Sequence, residues 1–382
     1  MRLRHPGGRL LHLSYCTNVH PAEDLEGIVG QLDEYALPIR ERLGSEVLGL
    51  GLWLAAPVAE AVAVDGGARR RLRRELDARG LEVVTLNGFP YRSFQDPVVK
   101  QAVYHPDWTT SERLRYTLDL ARVLADLLPD DAARGSISTL PLAWRHPWDR
   151  ARADAAAHML DELAAGLADI EHRTGRVIRV AFEPEPGCVV ETTDQAVAVL
   201  SGADTDRLGV CLDLAHLACA WERPADALRA LRAADVPVVK VQLSNALETD
   251  DPEALREYAE PRFLHQIRNP ARGAADDLDE AFEAGLPGPW RVHYHVPLHS
   301  SPAAPLATTA PLLRDALGEL VGAADAACDH FDVETYTWGV LPAAQRPRTA
   351  GQLADGIAAE LAFARAELHR LGMEPHGLGM SA

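Results

Sequence analysis

VIRVAFEPEPG, residues 177–187, is a short apolar run that breaks off at a glutamate and then at two prolines and a glycine. Successive side chains of a strand point to opposite faces, so Ile178, Val180 and Phe182 share one face while Ala181, Glu183 and Glu185 share the other. A strand that is apolar toward one layer and ends in carboxylates on the other face fits a parallel barrel, whose outer face packs on helices and whose C-terminal rim carries chemistry. Seven more runs of this kind lie on either side: LHLSYC from Leu11, VLGLGLWL from Val47, LEVVTL from Leu81, SISTLPL from Ser136, LGVCLDL from Leu208, VVKVQLS from Val238 and FDVETY from Phe331. Helical patterns separate most of them, and this alternation is the mark of βα units, so the expected fold is an α/β (β/α)8 barrel.

The helices between the runs have start and stop signals. One is expected after Thr109, Thr110 and Ser111, ending at Pro129; another starts near Pro147 and ends at Gly175. A shorter one follows Thr192 and Thr193, and the last runs from about Gly351 to Leu371. The stretch from Ala246 to Asp329, between the seventh and eighth runs, is too long for one helix. It is read as an insertion, about 246–329, near the mouth of a single domain spanning 1–382. Inside it RVHYHVPLH, Arg291–His299, alternates as a short strand or hairpin arm.

Of the 382 residues, 47% are hydrophobic and 25% charged, which provides a sizeable core. The 56 acidic and 38 basic residues give a formal net charge of −18, which disfavours nucleic acid and anionic membranes as partners. Five cysteines without a C-x-x-C pair provide no disulfide framework and fit a reducing cytoplasm. The first residues lack an apolar signal core, and no run stays apolar for about 18 residues, so neither a signal peptide nor a membrane span is expected. G-x-G-x-x-G, P-loop, H-E-x-x-H and G-x-S-x-G patterns are missing, which removes direct support for dinucleotide, nucleotide and serine-hydrolase chemistry.

The same alternation orients the other strand ends. Lys240, Gln242 and Ser244 face inward while Val239, Val241 and Leu243 face the helices; Asp213 faces inward in LGVCLDLAH, and Asp332, Glu334 and Tyr336 do so in FDVETYTW. Glu183, Asp213 and Glu334 therefore end three different strands and point at one axis. Three ionised carboxylates do not share a low-dielectric cavity without positive compensation. A divalent cation supplies it most simply: Mg²⁺ or Mn²⁺ among oxygens, Zn²⁺ or Co²⁺ where an imidazole joins. The competing reading pairs single carboxylates with Lys240 or Arg179. His216, three residues beyond Asp213, is a ligand or a substrate contact. His293 and His295, two apart, share a strand face and converge on a metal or sugar, or else are solvated on a surface hairpin. His265, in RFLHQ, reads as a capping or packing histidine and is carried as a substrate-side candidate with the insertion. Asn18, His20, Asn87 and Trp53, with Lys240, are candidate contacts in a sugar pocket.

The glutamate of AFEPEPG, the D-x-x-H of LDLAH and the glutamate of DVETY resemble the metal-site motifs of strands five, six and eight in the xylose-isomerase-like barrel superfamily. Within it, YCTNVHP, LNGFPY, SISTLPLAW, FLHQ, HYHVPLH and VETYTWGVLP resemble the bacterial EboE family of metabolite-traffic proteins, over nearly the whole chain. The resemblance implies metal ligands at Glu183, Asp213 and Glu334, with His216 beside the substrate. Epimerases of the superfamily place a histidine ligand on strand seven where this chain has Gln242, so Gln242, His293 or His295 completes the site. It further implies a cytoplasmic, metal-dependent isomerase or epimerase of a sugar- or cyclitol-like intermediate, with Glu183 and Glu334 as paired base and acid. Such a protein acts in secondary-metabolite biosynthesis and traffic beside other proteins of its pathway; self-association is left open. Two alternatives stand: a non-catalytic metabolite-binding component of an export pathway, which Gln242 favours, and a phosphoesterase of the endonuclease-IV type, against which the net charge argues.

Overall fold

In the computed structural model, which describes residues 1–377, eight parallel strands close into a barrel. They are β1 (Leu10–Cys16), β2 (Leu48–Trp53), β3 (Leu81–Asn87), β4 (Gly135–Thr139), β5 (Ile178–Phe182), β6 (Leu208–Asp213), β7 (Val238–Leu243) and β8 (His330–Val333). All eight runs read from the sequence are strands. Pairing of β8 with β1, Phe331 opposite Leu13 and Asp332 opposite Ser14, shuts the ring. This is the (β/α)8 barrel expected from the alternation.

The helix signals behave as their chemistry requires. Helix Ser111–Leu127 buries Leu120 and Leu124 against the sheet, and helix Arg150–Thr174 stops at Gly175, whose φ of 69° suits a residue without a Cβ. That second helix begins after Asp149, which caps the Arg152 amide, two residues beyond the proline that marked it in the sequence. Thr192 and Gln195 form a reciprocal capping box on helix Thr193–Leu200. Among the described residues no helix is long and apolar enough to cross a membrane.

Two expectations need correction. Register slips between Val210 and Cys211 where β6 meets β7, leaving Val239 as an extra residue; it packs with Ala181 and Cys211 on the barrel interior rather than on the helix layer. The insertion is also shorter than 246–329. It holds a five-stranded sheet, ordered Ala274–Ala275, Ile267–Arg268, Trp290–Val292, Leu247–Thr249 and Leu306–Thr308. The following helix, Ala310–Val321, packs against helices Pro224–Ala233 and Ala350–Arg370 and so belongs to the ring around the barrel. Its Leu313, Leu317 and Leu320 are buried there.

Candidate metal centre

Each acidic candidate sits at the C-terminal rim. Glu183 follows β5, Asp213 is the last residue of β6, and Glu334 follows β8. Asp213 also caps the helix Leu214–Cys219: its Oδ1 accepts from the His216 amide at 2.8 Å and from Ser244 Oγ at 2.7 Å, while Oδ2 has no partner. Glu334 Oε1 accepts from Asn18 Nδ2 and Asn87 Nδ2, both at 2.8 Å. Asn87 is held in that sense because its Oδ1 accepts from the Phe89 amide. Asn18 and Asn87 line the same cavity as Glu183 and Glu334, so they both wall the pocket and aim a carboxylate.

Among the described residues none of the three carboxylates forms an ion pair with a lysine or arginine. Lys240 is fully buried and faces inward, but its ammonium is 2.9 Å from Asp332 Oδ2, and Arg179 pairs with none of them. Burial first, then the neighbouring Glu334 and Asp213 charges, push the Glu183 carboxyl well above its ordinary range. Burial and Asp213 push Glu334 up to about 8. Glu183 Oε2, Asp213 Oδ2 and both amide atoms of Gln242 are buried without hydrogen-bond partners. Gln242 lies opposite Asp213 across the β6–β7 pair and opposite Asp332 across β7–β8. Buried oxygens left unpaired among carboxylates fit a cation, because a cation supplies what hydrogen bonds here do not.

Asp213 is the hub. One ligand atom each from Glu183, Asp213 and His216 lies within 4.8 Å of the others, and the same holds for Asp213, His295 and Glu334. A third such group is His216, His293 and His295. The two insertion histidines therefore come to the carboxylates and are not solvated. His293 and His295 follow strand Trp290–Val292 in an irregular segment that turns at His293, where the Tyr294 amide bonds Val292 O, and that is tied by the His293 amide to Gln266 O and by the Val296 amide to Asn245 O. His295 Nε2 is 3.9 Å from Asp213 Oδ2, and His216 Nε2 is 2.9 Å from His293 Nε2. Burial lowers His216 to about 4 and holds His293 and His295 below the usual histidine value.

Four candidates fall elsewhere. His20 stacks on Tyr35 with ring centroids 4.1 Å apart and meets Tyr15 Oη at 3.2 Å, outside the cavity lining. Trp53 donates Nε1 to Pro90 O and packs behind the wall against Phe94. His265 has both ring nitrogens engaged, with Glu260 Oε1 at 2.8 Å and His293 O at 3.2 Å, and so braces the histidine segment. Lys240 lies inside the barrel with Asp332 and Ser138 and is not among the residues that line the cavity.

Loops supply what the strand pattern did not reveal. Tyr104 Oη donates to Glu185 Oε1 at 2.8 Å and accepts from Gln266 Nε2 at 2.9 Å. Glu185, on the inward face of the VIRVAFEPEPG run, lines the cavity, and burial pushes it up to about 8. Phe94, Phe263 and Tyr336 form an aromatic wall with centroids 4.8–5.2 Å apart. Tyr104 ends the short 3-10 helix Lys100–Tyr104, and Phe94 and Phe263 stand in loops, where no periodicity marks them.

A family model described as the xylose isomerase-like TIM barrel matches residues 42–289. Comparison with curated proteins gives no match. Among solved structures, a xylose isomerase-like TIM barrel protein from Mycobacterium smegmatis in complex with magnesium has 15% identity and a TM-score of 0.53, with 94% of this chain and 98% of that one covered. D-allulose 3-epimerase from Methylomonas sp. in complex with D-allulose has 12% identity and a TM-score of 0.53, covering 96% and 100%. The probable 3-DHS dehydratase AsbF of Bacillus anthracis has 15% and 0.51, covering 93% and 99%. At these identities the likeness is one of fold.

Proposed function

The chain belongs to the xylose isomerase-like TIM barrel family, and from that premise we propose that it is a divalent-metal-dependent isomerase or epimerase of a sugar- or cyclitol-like substrate. One observation carries the reading: Glu183, Asp213 and Glu334 lie on one buried rim around Asp213, with unpaired oxygens on Glu183 and Asp213 and, among the described residues, without a lysine or arginine partner. Their donor set, with the orphaned Gln242 amide, suits a hard cation such as Mn²⁺ or Mg²⁺. When bound, such an ion supplies positive charge that acidifies a C–H beside a carbonyl and stabilises the enediolate charge.

The chain's own residues perform the rest. Glu183 takes the proton from carbon and Glu334 returns one, to the neighbouring carbon in an isomerisation or to the opposite face in an epimerisation. Asn18 and Asn87 keep Glu334 aimed at the reacting carbon. The aromatic wall of Phe94, Phe263 and Tyr336 offers an apolar face to a sugar ring and excludes water. D-allulose 3-epimerase, similar in fold, acts on a neutral sugar. Neutrality suits this cavity too, since Lys100, its lining cation, is held by Asp277 at 2.5 Å. The same neutrality counts against a phosphoester substrate. The EboE-like segments support a role in secondary-metabolite biosynthesis and traffic.

The test is solvent exchange. Metal-loaded protein incubated with D-allulose, D-fructose or an inosose in D₂O incorporates deuterium at the carbon beside the carbonyl, and Glu183→Gln or Glu334→Gln lowers the rate by about 10²–10⁴. Wild-type rates in both variants contradict the mechanism. Gln242 supports a second reading, a binding component that releases its ligand unaltered: a retained ligand with no exchange in any sugar is its signature.

A further inference from the structure

Arg113 is a guanidinium sealed inside the protein without an acid to pair with. It has no exposed surface and stands in the first turn of helix Ser111–Leu127, where the helix dipole opposes a cation. Asp107, whose charge acts on it, is engaged by Arg152 at 2.5 Å. Burial pulls Arg113 down to about 10, which leaves it charged at neutral pH. A buried charge with neither a counter-ion nor a favourable dipole is costly unless its hydrogen bonds are well used.

Those bonds go to carbonyls at the two ends of one loop. Nη1 donates to Gly88 O at 2.9 Å and to Phe89 O at 3.0 Å, directly after β3, while Nε donates to Pro106 O at 2.8 Å, just before the helix. The rings of Tyr91 and Tyr116, each 5.7 Å from the guanidinium carbon, flank the group. Between the two ends the loop carries Phe89, Phe94, Val99, Val103 and Tyr104 of the cavity wall. Its middle rests on the insertion: the Val99 and Lys100 amides donate to Arg262 O at 2.7 and 2.8 Å, and Arg262 Nη1 donates to Gln95 Oε1 at 3.1 Å. Fixing both ends of a loop removes most of the freedom of what lies between them.

We infer that Arg113 is a positioning residue for substrate binding: it clasps both ends of the 88–106 loop and thereby sets Phe94 and Tyr104 in the cavity wall. Through that loop it holds Tyr104 Oη 2.8 Å from Glu185 Oε1 and the Phe94 ring 5.2 Å from Tyr336. Its own hydrogen bonds reach none of Glu183, Asp213 and Glu334, so its effect falls on the hold over the substrate and not on proton transfer. Wall contacts made equally to substrate and transition state show in KM and leave kcat in place. The planar fork is what joins the two ends, and a single ammonium does not replace it. The effect on KM rests on the isomerase reading; the order of the loop does not.

Full-length Arg113→Met, which removes the charge at similar length, and Arg113→Lys, which keeps the charge without the fork, are compared with wild type by amide hydrogen exchange and by Mn²⁺-loaded turnover of D-allulose in D₂O. Arg113→Met speeds exchange of the Val99 and Lys100 amides at least about 10-fold, leaves the amides of β1 and β6 at wild-type rates, and raises KM at least about 10-fold with kcat within about threefold. Arg113→Lys falls between the two, because one end of the loop is released. Unchanged exchange at Val99 and Lys100, a rise shared equally by the strands, or a loss of kcat at unchanged KM overturns the assignment. Should Arg113→Met fail to fold, Arg113→Lys carries the same comparison, and wild-type exchange in it contradicts the clasp. A wild type that turns over none of D-allulose, D-fructose or an inosose removes the isomerase, and the exchange rates then decide on Arg113 alone.

Discussion

A carboxylate and an ammonium sealed inside a barrel hold their charges only by holding each other. Asp332 and Lys240, both without exposed surface, are 2.9 Å apart, and Ser14 Oγ donates to the other Asp332 oxygen at 2.7 Å. Gly51 makes room, since a Cβ there would overlap the Asp332 carboxyl. Asp332→Ala strands the Lys240 charge and should cost about 3–5 kcal/mol in urea denaturation. Lys240→Met with Asp332→Leu should recover most of that loss, because neither charge is then left alone. A double variant as unstable as Asp332→Ala would contradict this account of the pair. At this scale the sequence was half legible: alternation put Lys240 and Asp332 inside, yet gave no sign that they would pair with each other. His20 and Trp53 were misplaced because Tyr35 and Pro90, their partners, are chosen by packing.

At the scale of the element, helix Ala350–Arg370 reaches into the rim through one residue. Glu360 is buried, and its carboxyl accepts from Thr335 Oγ1, the Leu298 amide and Trp338 Nε1, at 2.6, 3.1 and 3.1 Å. It thus ties the turn after Glu334 to the segment that carries His295. Burial raises Glu360 from 4.5 to about 7. The folded carboxyl keeps its proton up to about pH 7 while the unfolded one releases it near 4.5, so stability falls as pH rises between those values and the loss is complete above them. Glu360→Gln should flatten that part of the stability–pH curve, by on the order of 3 kcal/mol between pH 4.5 and pH 8. Parallel curves for the two proteins would show that Glu360 does not titrate this way. Elements were the most legible scale, because eight apolar runs with turn residues at their ends left little choice of register. The β6–β7 bulge and the end of the insertion were not, since one depends on cross-strand spacing and the other on which helix packs on which neighbour.

For the whole molecule, a ring of eight strands brings to one rim residues as far apart as Asn18 and Glu334, and a loop sheet inserted after β7 carries His293 and His295 in from the side. The acidic surface and the absence of a free cation among the cavity's described lining residues fit a neutral substrate. The barrel explains why the ends of strands distant in sequence were legible as neighbours: the closure that sets the fold also brings their C-terminal ends to one rim. The measurement closest to that claim is a calorimetric titration of chelator-stripped protein with Mn²⁺, in wild type and in Asp213→Asn. The account predicts one tight site in the wild type, weakened at least about 100-fold by the loss of the shared carboxylate. No Mn²⁺ binding by the wild type, or equal binding by the variant, would contradict it.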